Sequence, residues 1–477
     1  MKLIELLPKK TKIVCTIGPA SESRAALEKM ITSGMNIARI NFAHGNFEGH
    51  RQVITNIRNA AEITGQRITI FGDLPGPKMR IGELIDEPIL LERGQPFALH
   101  TEELVGDAGR VSISFKNLPG VVTPGDNIFV NDGYIQLEVE DSLEKIVNCR
   151  ILVGGELRSH NGLNLPDIDL GISAFTERDR EFLEFAAAQG LDAVSQSFVE
   201  TELDIKSVRE AAEALDYYPF IIAKIERARA LDNLPAILDA ADGLMVARGD
   251  LGVEIPIERI ATSQKKIISM ANLAGKPVIT ATHMLESMIE HRRPTRAEAT
   301  DVANAILDGT DCVMLSGETA IGQFPIDAVA VMARIAQETE LFDDGLGVAD
   351  LLELQKTSGE ITRSDLIAFD IYQTAQTLNP AVVFVPSASG ETARQVTRFR
   401  LNPWIVAVSH VEQTCQHLQF SYGVYPQYLL ENPESWSKYA HEWLVENDID
   451  CDLVMVCQSA STSKAGDTMR LEIINLT

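Results

Sequence analysis

Eight short β-rich runs recur along the chain and constrain its fold more than any other feature. Each is largely apolar and β-branched rather than alternating, as expected of strands buried on both faces. The runs are TKIVCTIG (11–18), MNIARINF (35–42), RITIFGDL (67–74), LDAVSQSF (191–198), YPFIIAKI (218–225), DGLMVARG (242–249), KPVITATH (276–283) and DCVMLSGE (311–318). Amphipathic stretches follow most of them, so eight strand–helix units predict a (β/α)₈ barrel. A doubly wound open sheet uses the same units and is the alternative.

The long gap between the third and fourth runs has a different pattern. Residues 75–170 hold short alternating runs, such as RVSISF and YIQLEVED, punctuated by Gly, Asp and Pro. This predicts a small all-β domain of the β-barrel type, inserted after the third strand. Because loops that follow barrel strands surround the carboxyl-terminal mouth, the insertion is expected to form a lid over that mouth.

The sequence pattern changes again beyond the eighth run. A helical pattern, SDLIAFDIYQTAQTL, leads to strand-like runs such as AVVFVP and WIVAVS. This predicts a separate carboxyl-terminal α/β open-sheet domain at 346–477. The barrel is then expected to consist of 1–74 and 171–345.

Composition excludes several classes of protein. At 477 residues the chain is too long for one core, in agreement with several domains. A net charge of −26 disfavours nucleic acid and anionic membranes as partners, because both are bound through basic surfaces. Small anionic substrates remain open, since a metal ion and a few Arg or Lys side chains can reverse the local field.

Cysteine usage and the amino terminus bear on localisation. The six cysteines are scattered and form no C-x-x-C pair, as expected of a reduced, cytoplasmic protein. The apolar stretch in MKLIELLPKK is too short for a signal peptide, and no run of 18 apolar residues predicts a membrane span.

Polar residues gather where the predicted strands end. In a barrel, those ends meet at the mouth that carries the active site. A single charged residue there is as readily explained by the onset of solvent as by function, but the whole set is harder to explain that way. The residues are Arg39, Asn41, His44, Asp73, Lys78, Arg80, Lys224, Glu226, Arg248, Asp250, Thr282, Ser316 and Glu318.

Two of these ends indicate a chemistry. Lys224 and Glu226 are two residues apart, so a strand would place both side chains on one face. Asp250 follows Gly249, which permits close approach of the backbone to a ligand. Two carboxylates without a His or Cys cluster suit Mg²⁺ or Mn²⁺, and such an ion with Lys and Arg suits phosphoryl transfer. The chain has no P-loop and no protein-kinase signature.

A series of motifs resembles the pyruvate kinase family. In order they are NFAHG, DLPGPKMR, GLNLPD, AKIER, MVARGDLGVEIP, THMLESM, RPTRAEATDVANAILDG and MLSGET. The resemblance runs from about residue 9 to 340. It implies transfer of a phosphoryl group from phosphoenolpyruvate to ADP, giving pyruvate and ATP, in a cytoplasmic homotetramer.

The resemblance also implies roles for residues. Glu226 and Asp250 would hold the divalent cation, Lys224 would neutralise the transferring phosphoryl group and the enolate, and Arg39 would contact the substrate phosphate. The substrate carboxylate would be held by the hydroxyl of Thr282 and by the backbone of Ala247, Arg248, Gly249 and Asp250. Thr282 would also assist protonation of the enolate, through water. The ADP side, under the lid, would be formed by Asn41, His44 and Arg80.

Departures from the family pattern change the expected mouth. Many members bind K⁺ with Asn, Ser, Asp and Thr side chains, which correspond to Asn41, Ala43, Asp73 and Leu74. Two of the four oxygens are therefore missing. Lys78 stands where the family has a Glu, and its ammonium is close to a K⁺ ion in charge and size. This pattern resembles the branch that works without K⁺. The alternative is drift that has only weakened K⁺ binding.

Two further departures leave alternatives open. Asn161 stands where the family usually has a lid Lys that reaches ADP, so one charge-assisted contact is lost. His283 follows Thr282 where the family has Gln; it would tune proton delivery, or it would bond to a carboxylate or the main chain.

The segment PSASGET in the last domain reads as an anion-binding turn, or as a plain helix cap. In allosteric relatives this loop binds a sugar phosphate. Glu391 would repel a second phosphate, so the expected effector is a sugar monophosphate or none. The proposed contacts are Ser387, Ser389, Thr392 and Lys464.

Two other functions remain as alternatives to the kinase. One is a related barrel aldolase or lyase that acts on pyruvate enolate without a nucleotide. The other is a catalytically weak sensor of phosphorylated metabolites.

Overall fold

The chain begins with three parallel strands and the helices between them. The structure is a computed structural model that describes residues 9–166, 168, 170–342, 361–449, 451, 453–458 and 470–476. The first elements are β1 (Lys12–Thr16), α1 (Arg24–Thr32), β2 (Ile37–Asn41), α2 (Phe47–Thr64) and β3 (Thr69–Leu74).

The insertion after β3 is a β domain with one short helix. Its elements are β4 (Ile89–Leu91), β5 (Pro96–His100), β6 (Arg110–Ser112), α3 (Leu118–Val121), β7 (Asn127–Val130), β8 (Ile135–Ser142), β9 (Ile146–Val153), β10 (Gly155–Leu157) and β11 (Leu163–Asn164). Six strands form a mixed sheet in the order β11-β7-β8-β9-β5-β6, and β10 pairs with β4. The side chains that alternate inward along these strands form a core of their own. This part of the chain is called the lid below.

The remaining barrel strands return with their helices. They are β12 (Ala193–Gln196), β13 (Phe220–Ile225), β14 (Gly243–Ala247), β15 (Val278–Ala281) and β16 (Cys312–Leu315). The helices are α4 (Glu177–Gln189), α5 (Glu202–Glu213), α6 (Ala228–Asp232), α7 (Leu234–Ala240), α8 (Arg248–Glu254), α9 (Ile260–Leu273), α10 (Arg296–Leu307), α11 (Gly317–Ala320) and α12 (Pro325–Glu340). Short 3₁₀ turns cover Ile257–Arg259 and Glu286–Ile289.

Eight parallel strands close into a barrel in chain order. The ring is β1-β16-β15-β14-β13-β12-β3-β2, and each strand lies within one of the eight predicted runs. Every residue of β1, β3 and β12–β16 is buried, as expected of strands between a filled interior and a ring of helices. The predicted barrel fold is confirmed, and the open-sheet alternative is wrong because β16 pairs with β1.

The carboxyl-terminal domain is an open sheet with helices. Its elements are α13 (Arg363–Leu378), β17 (Val382–Pro386), α14 (Glu391–Thr397), β18 (Trp404–Ser409), α15 (Glu412–His417), β19 (Val424–Tyr428), α16 (Trp436–Glu446), β20 (Leu453–Gln458) and β21 (Arg470–Asn475), with a 3₁₀ turn at Leu418–Phe420. The strand order is β19-β18-β17-β20-β21, and only β21 runs antiparallel. The predicted boundary at 345/346 lies outside the described residues.

The carboxyl-terminal domain closes the bottom of the barrel. Phe420 packs in the barrel's lower layer and stacks on Phe220 with ring centroids 5.0 Å apart. Lys12 Nζ donates to the carbonyl of Val424 at 2.7 Å, and Tyr422 N donates to Asp311 Oδ1 at 2.9 Å. The bottom is thereby plugged, which leaves the carboxyl-terminal mouth as the open end. Among the described residues, no helix is both long and apolar enough to cross a membrane.

Candidate active site

Lys224 lies at the centre of the barrel mouth, buried at the end of β13. Its Nζ is 2.7 Å from Glu226 Oε1, 3.4 Å from Asp73 Oδ1, and donates to Ser197 Oγ at 2.7 Å. Burial alone would lower the pKa of this ammonium, but the charges of Asp73 and Glu226 raise it above its ordinary value. Lys224 therefore carries a permanent positive charge at the floor of the site.

Asp73 is the buried carboxylate that joins the cations of the mouth. Burial would raise its pKa, but Lys224, Arg39 and a hydrogen bond from Ser195 Oγ at 2.6 Å lower the pKa to about 2. Arg39 Nη2 contacts Asp73 Oδ2 at 2.5 Å, and Arg39 Nη1 donates to Thr16 Oγ1 at 2.9 Å. Asp73 thus stays ionised and fixes the positions of both cationic side chains.

Glu226 and Asp250 face one another across the same cavity. Glu226 Oε2 accepts a hydrogen bond from Phe198 N at 2.8 Å. Burial raises the pKa of Glu226, and the neighbouring charge of Asp250 adds to that shift. Two carboxylates that line one cavity offer hard oxygen ligands, which fit a hard divalent cation. Within the described parts of the chain, no three His, Cys, Asp or Glu side chains converge as a complete metal site. Further ligands would come from substrate and water.

The amino-terminal end of α8 lies beside Thr282. Gly249 N donates to Thr282 Oγ1 at 2.7 Å, and that hydroxyl donates to the carbonyl of Ala281 at 2.7 Å. The first-turn N–H groups of α8 have no partner within the helix and favour an anion. The hydroxyl of Thr282 thus lies against the first turn of α8, the group that the family resemblance assigns to the substrate carboxylate.

The side chain of Arg248 turns away from the cavity and braces its rim. Its guanidinium donates to the carbonyl of Thr282 at 2.6 Å and to Asp301 Oδ1 at 2.8 Å. Thr282 and His283 have φ values of 66° and 54°, a left-handed conformation that costs non-glycine residues about 1–3 kcal/mol each. Arg248 thus holds a strained turn in place, and only its backbone is available to the substrate.

A group of basic side chains marks the side of the mouth beneath the lid. His44 is exposed, but partial loss of hydration lowers its pKa, with further lowering from Arg80, Lys78 and Arg39 nearby. Arg80 Nη1 donates to the carbonyl of His160 in the lid at 2.8 Å. These groups supply positive charge between the barrel and the lid, where a polyphosphate would be neutralised.

Lys78 approaches the position predicted for a monovalent cation. The exposed side chain of Lys78 makes no hydrogen bond or ion pair with any described residue, and it lines the same cavity as Asn41 and Asp73. Asn41 Oδ1 accepts a hydrogen bond from Ala43 N at 3.1 Å. Leu74 is fully buried in the barrel core and offers no oxygen.

One cavity of about 110 Å³ brings most of the predicted residues together. Those that line it are Arg39, Asn41, His44, Asp73, Lys78, Lys224, Glu226, Ala247, Asp250 and Thr282. Ser197 and Ser195 are additional polar groups that sequence reasoning missed. The signal was present, since Ser197 is the last residue but one of the fourth predicted run, but a hydroxyl carries no charge that would mark it as part of the site.

Asn161 and His283, the two other departures from the family pattern, differ in their surroundings. Asn161 Nδ2 donates to Asn131 Oδ1 at 3.1 Å, and Asn161 Oδ1 accepts from Arg158 N at 2.7 Å, so this amide is used inside the lid. The side chain of His283 is exposed, and neither a carboxylate nor the main chain bonds to it among the described residues.

The anion-binding turn of the last domain is closed on itself. Ser387 Oγ accepts from Gly390 N at 3.0 Å, and Ser389 Oγ accepts from Glu391 N at 3.4 Å. Thr392 is buried at the start of α14, and Glu391 is exposed. Lys464, the fourth predicted contact, lies outside the described residues.

Comparisons with known proteins agree with this geometry. A family model described as the pyruvate kinase barrel domain matches residues 8–329, and one described as the pyruvate kinase alpha/beta domain matches residues 365–474. A pyruvate kinase from Thermococcus litoralis is 46% identical over 430 residues, which cover 90% of each chain. Pyruvate kinase 2 from Synechocystis is 40% identical over 481 residues, covering 98% of this chain and 80% of the relative.

Solved structures lead to the same family. The crystal structure of a pyruvate kinase from Cryptosporidium parvum matches with a TM-score of 0.89 at 34% identity. The match covers 98% of this chain and 97% of that one. Barrel, lid and carboxyl-terminal domain are thus all shared with a chain of known structure.

Proposed function

The chain belongs to the pyruvate kinase family and is a phosphotransferase, and we propose that it transfers the phosphoryl group of phosphoenolpyruvate to ADP with Mg²⁺ at the barrel mouth. One observation carries the proposal. The Lys224 ammonium lies 2.7 Å from Glu226 Oε1 and shares a cavity with Asp250, Arg39 and Thr282. This combination of a fixed cation and paired carboxylates suits charge neutralisation rather than nucleophilic catalysis.

The chain's own cations would stabilise the charge that moves during the reaction. The P–O bond to the enol oxygen breaks while a bond forms to a terminal oxygen of ADP, and negative charge builds on the enolate. Lys224 Nζ, held by Ser197 and Asp73, is preorganised to neutralise this charge because it needs no reorientation. Arg39, bonded to Asp73, would hold the phosphate of the substrate.

Glu226 and Asp250 are the side chains that would hold the divalent cation. The donor set is hard and anionic, and the cavity leaves positions for oxygens of the substrate and of water. When bound, Mg²⁺ supplies positive charge that polarises phosphoryl and enolate oxygens. A Mn²⁺ ion would suit the same donors.

Thr282 would serve two functions in this scheme. Its hydroxyl and the first-turn backbone of α8 would orient the substrate carboxylate. The enolate must then gain a proton at its methylene carbon to become pyruvate, and Thr282 would order the water that delivers it. The strain held at Thr282 by Arg248 would keep this hydroxyl in position.

A single assay tests the proposed reaction. Pyruvate release from phosphoenolpyruvate, measured in an assay coupled to lactate dehydrogenase, should require both ADP and Mg²⁺. Turnover without ADP would contradict a kinase, because the phosphoryl group would then be transferred to water. Binding of phosphoenolpyruvate without any turnover would favour the sensor.

We also propose that the enzyme works without K⁺, because of the residues at the barrel mouth. Lys78 is an unpaired ammonium among the described residues, it lines the cavity beside Asn41 and Asp73, and Ala43 and Leu74 carry no oxygen on their side chains. A tethered ammonium would supply the charge of the ion without a binding step.

Replacement of K⁺ by tetramethylammonium is expected to change the rate of the wild-type enzyme by less than about twofold. A fall of tenfold or more, roughly 1.4 kcal/mol, would contradict the proposal. Lys78→Glu should lower activity strongly in tetramethylammonium, and adding Ala43→Ser and Leu74→Thr should restore it in K⁺. Lys116→Glu in the lid, whose parent lysine bonds to the carbonyl of Thr101, serves as the matched control.

A sugar monophosphate is proposed as the effector at the Ser387–Thr392 turn. The exposed carboxylate of Glu391 would repel a second phosphate group. Glucose 6-phosphate or ribose 5-phosphate should therefore activate the enzyme more than fructose 1,6-bisphosphate does. Glu391→Lys should reverse this order, and stronger activation of the wild type by the bisphosphate would overturn the prediction.

A further inference from the structure

Arg227 is an unusual charged residue, because its side chain is only 2% exposed. It follows Glu226 directly, at the point where β13 ends. A buried guanidinium is stable only if its N–H groups find partners, so the partners of Arg227 show which parts of the protein it connects.

Two of these partners belong to the barrel. Arg227 Nη1 donates to Glu254 Oε1 at 3.3 Å, and Arg227 Nε lies 3.1 Å from Glu200 Oε1 in an ion pair that lacks hydrogen-bond geometry. Glu254 is the last residue of α8, whose first turn contains Gly249 and Asp250. Arg227 therefore anchors the far end of the short helix that begins at the substrate cradle.

Two other partners belong to the base of the lid. Arg227 Nη2 donates to the carbonyl of Ile168 at 3.0 Å and to the carbonyl of Leu165 at 3.3 Å. The side chains of Leu165 and Ile168 are buried in the hydrophobic core of the lid. One guanidinium thus bonds to the backbone of the lid and to a carboxylate of the barrel.

The lid also touches α8 at a second place. Gly133 lies in the turn between β7 and β8, and a Cβ atom there would be 3.5 Å from the methyl groups of Val253. The lid therefore meets α8 directly at its tip and through Arg227 at its base. A change at Arg227 would therefore alter how the base of the lid is held beside α8.

We propose that Arg227 is a positioning residue that fixes the lid relative to α8 and to Glu226, so that ADP held beneath the lid meets the phosphoryl group in line. The proposal rests on the proposed function. The planar guanidinium can donate in several directions at once, whereas a lysine ammonium in the same space cannot reach all four partners. The two lid carbonyls need the guanidinium fork, whereas Glu254 can pair with any cation, so the nucleotide beneath the lid depends on this arrangement more than phosphoenolpyruvate at the start of α8 does.

Arg227→Lys tests the inference because it keeps the buried positive charge that Glu254 needs. We expect kcat/KM for ADP to fall at least tenfold, while KM for phosphoenolpyruvate changes less than threefold. Amide hydrogen exchange at residues 163–168 should become faster. Arg209→Lys is the matched control, since Arg209 also bonds to a carboxylate, Asp242 at 3.1 Å, and to a main-chain carbonyl, that of Ala240 at 2.9 Å, and neither partner belongs to the lid or to α8.

A purely structural role would give a different pattern. It would reduce the folded fraction, and so the apparent kcat, without changing the ratio of the two KM values. Unchanged KM for ADP together with unchanged amide exchange in Arg227→Lys would overturn the proposal. The exchange measurement needs no turnover, so it still tests the link to the lid if the proposed reaction itself fails.

A double variant separates stability from positioning. Arg227→Met/Glu254→Leu replaces the buried ion pair by apolar groups of similar size, and such replacements are often neutral for stability. Glu200 keeps Arg229 as its partner. We expect a melting temperature close to wild type with kcat/KM for ADP still reduced at least tenfold. Recovery of that value to within threefold of wild type would show that Arg227 only stabilises the fold.

Discussion

Replacement of Lys224 by Met is expected to lower kcat by about 10³-fold, equivalent to about 4 kcal/mol of transition-state stabilisation. The reason is the place of this ammonium. It is buried, its pKa is raised by Asp73 and Glu226, and Ser197 fixes its direction. Nothing else in the cavity would put a positive charge in that position, and water could not replace it without reorganising.

The measurement is steady-state pyruvate formation at saturating substrates, with thermal unfolding recorded alongside. The variant should remain folded, because Asp73 keeps Arg39 and Ser195 as partners. Lys265→Met is the matched control, since Lys265 pairs with Asp308 at the exposed surface of α9. A loss smaller than tenfold in the folded Lys224 variant would remove Lys224 from the proposed chemistry.

Replacement of Glu226 by Gln is expected to weaken the binding of Mn²⁺ at least 100-fold, about 2.7 kcal/mol, and to reduce kcat by a comparable factor. Glutamine has the same shape, and its carbonyl can still accept from Phe198 N, so the loss would report the missing charge. The cation would then be held by Asp250 with neutral donors alone, next to the Lys224 ammonium, whose remaining counter-charge would be Asp73.

Titration of Mn²⁺ by electron paramagnetic resonance measures this affinity without turnover. Glu286→Gln is a suitable control, because Glu286 is an exposed carboxylate on the loop that follows Thr282 at the same rim. Unchanged Mn²⁺ affinity in Glu226→Gln would show that the cation lies elsewhere.

The geometry around Lys224 shows which parts of the site the local sequence pattern can predict. Period 2 along a strand places Lys224 and Glu226 on one face, and the structure has their charged atoms 2.7 Å apart. Residues at strand ends could also be assigned to the mouth, because eight parallel strands must end at the same rim. Both deductions need only the spacing of residues along one or two strands.

Ser195 and Ser197 show where this reasoning stops. Both hydroxyls lie at the end of the fourth predicted run, and each bonds to a charged group from another strand. Asp73 and Lys224, their partners, are 122 and 27 positions away. Only the register between neighbouring strands decides which hydroxyl meets which charge, and that register is a property of the closed barrel.

Arg227 marks the same limit more sharply. In AKIER it reads as one more polar residue after a strand, and nothing nearby indicates burial. Its carboxylate partners and the lid carbonyls are brought to it by α8, by the segment after β12 and by the chain that leaves the lid. Likewise, only the structure shows that Arg248 braces the rim with its side chain and leaves its backbone free.

The sequence by itself therefore determined the barrel, the inserted lid, the open-sheet domain and the composition of the mouth. These follow from hydrophobic period, from turn residues and from motif order, all of which are local along the chain. The tertiary structure alone decided which charges pair, which partners surround Lys78 in the described part of the chain, and how the lid is tied to α8. Those properties depend on contacts between distant segments, whose distances and burial no local pattern contains.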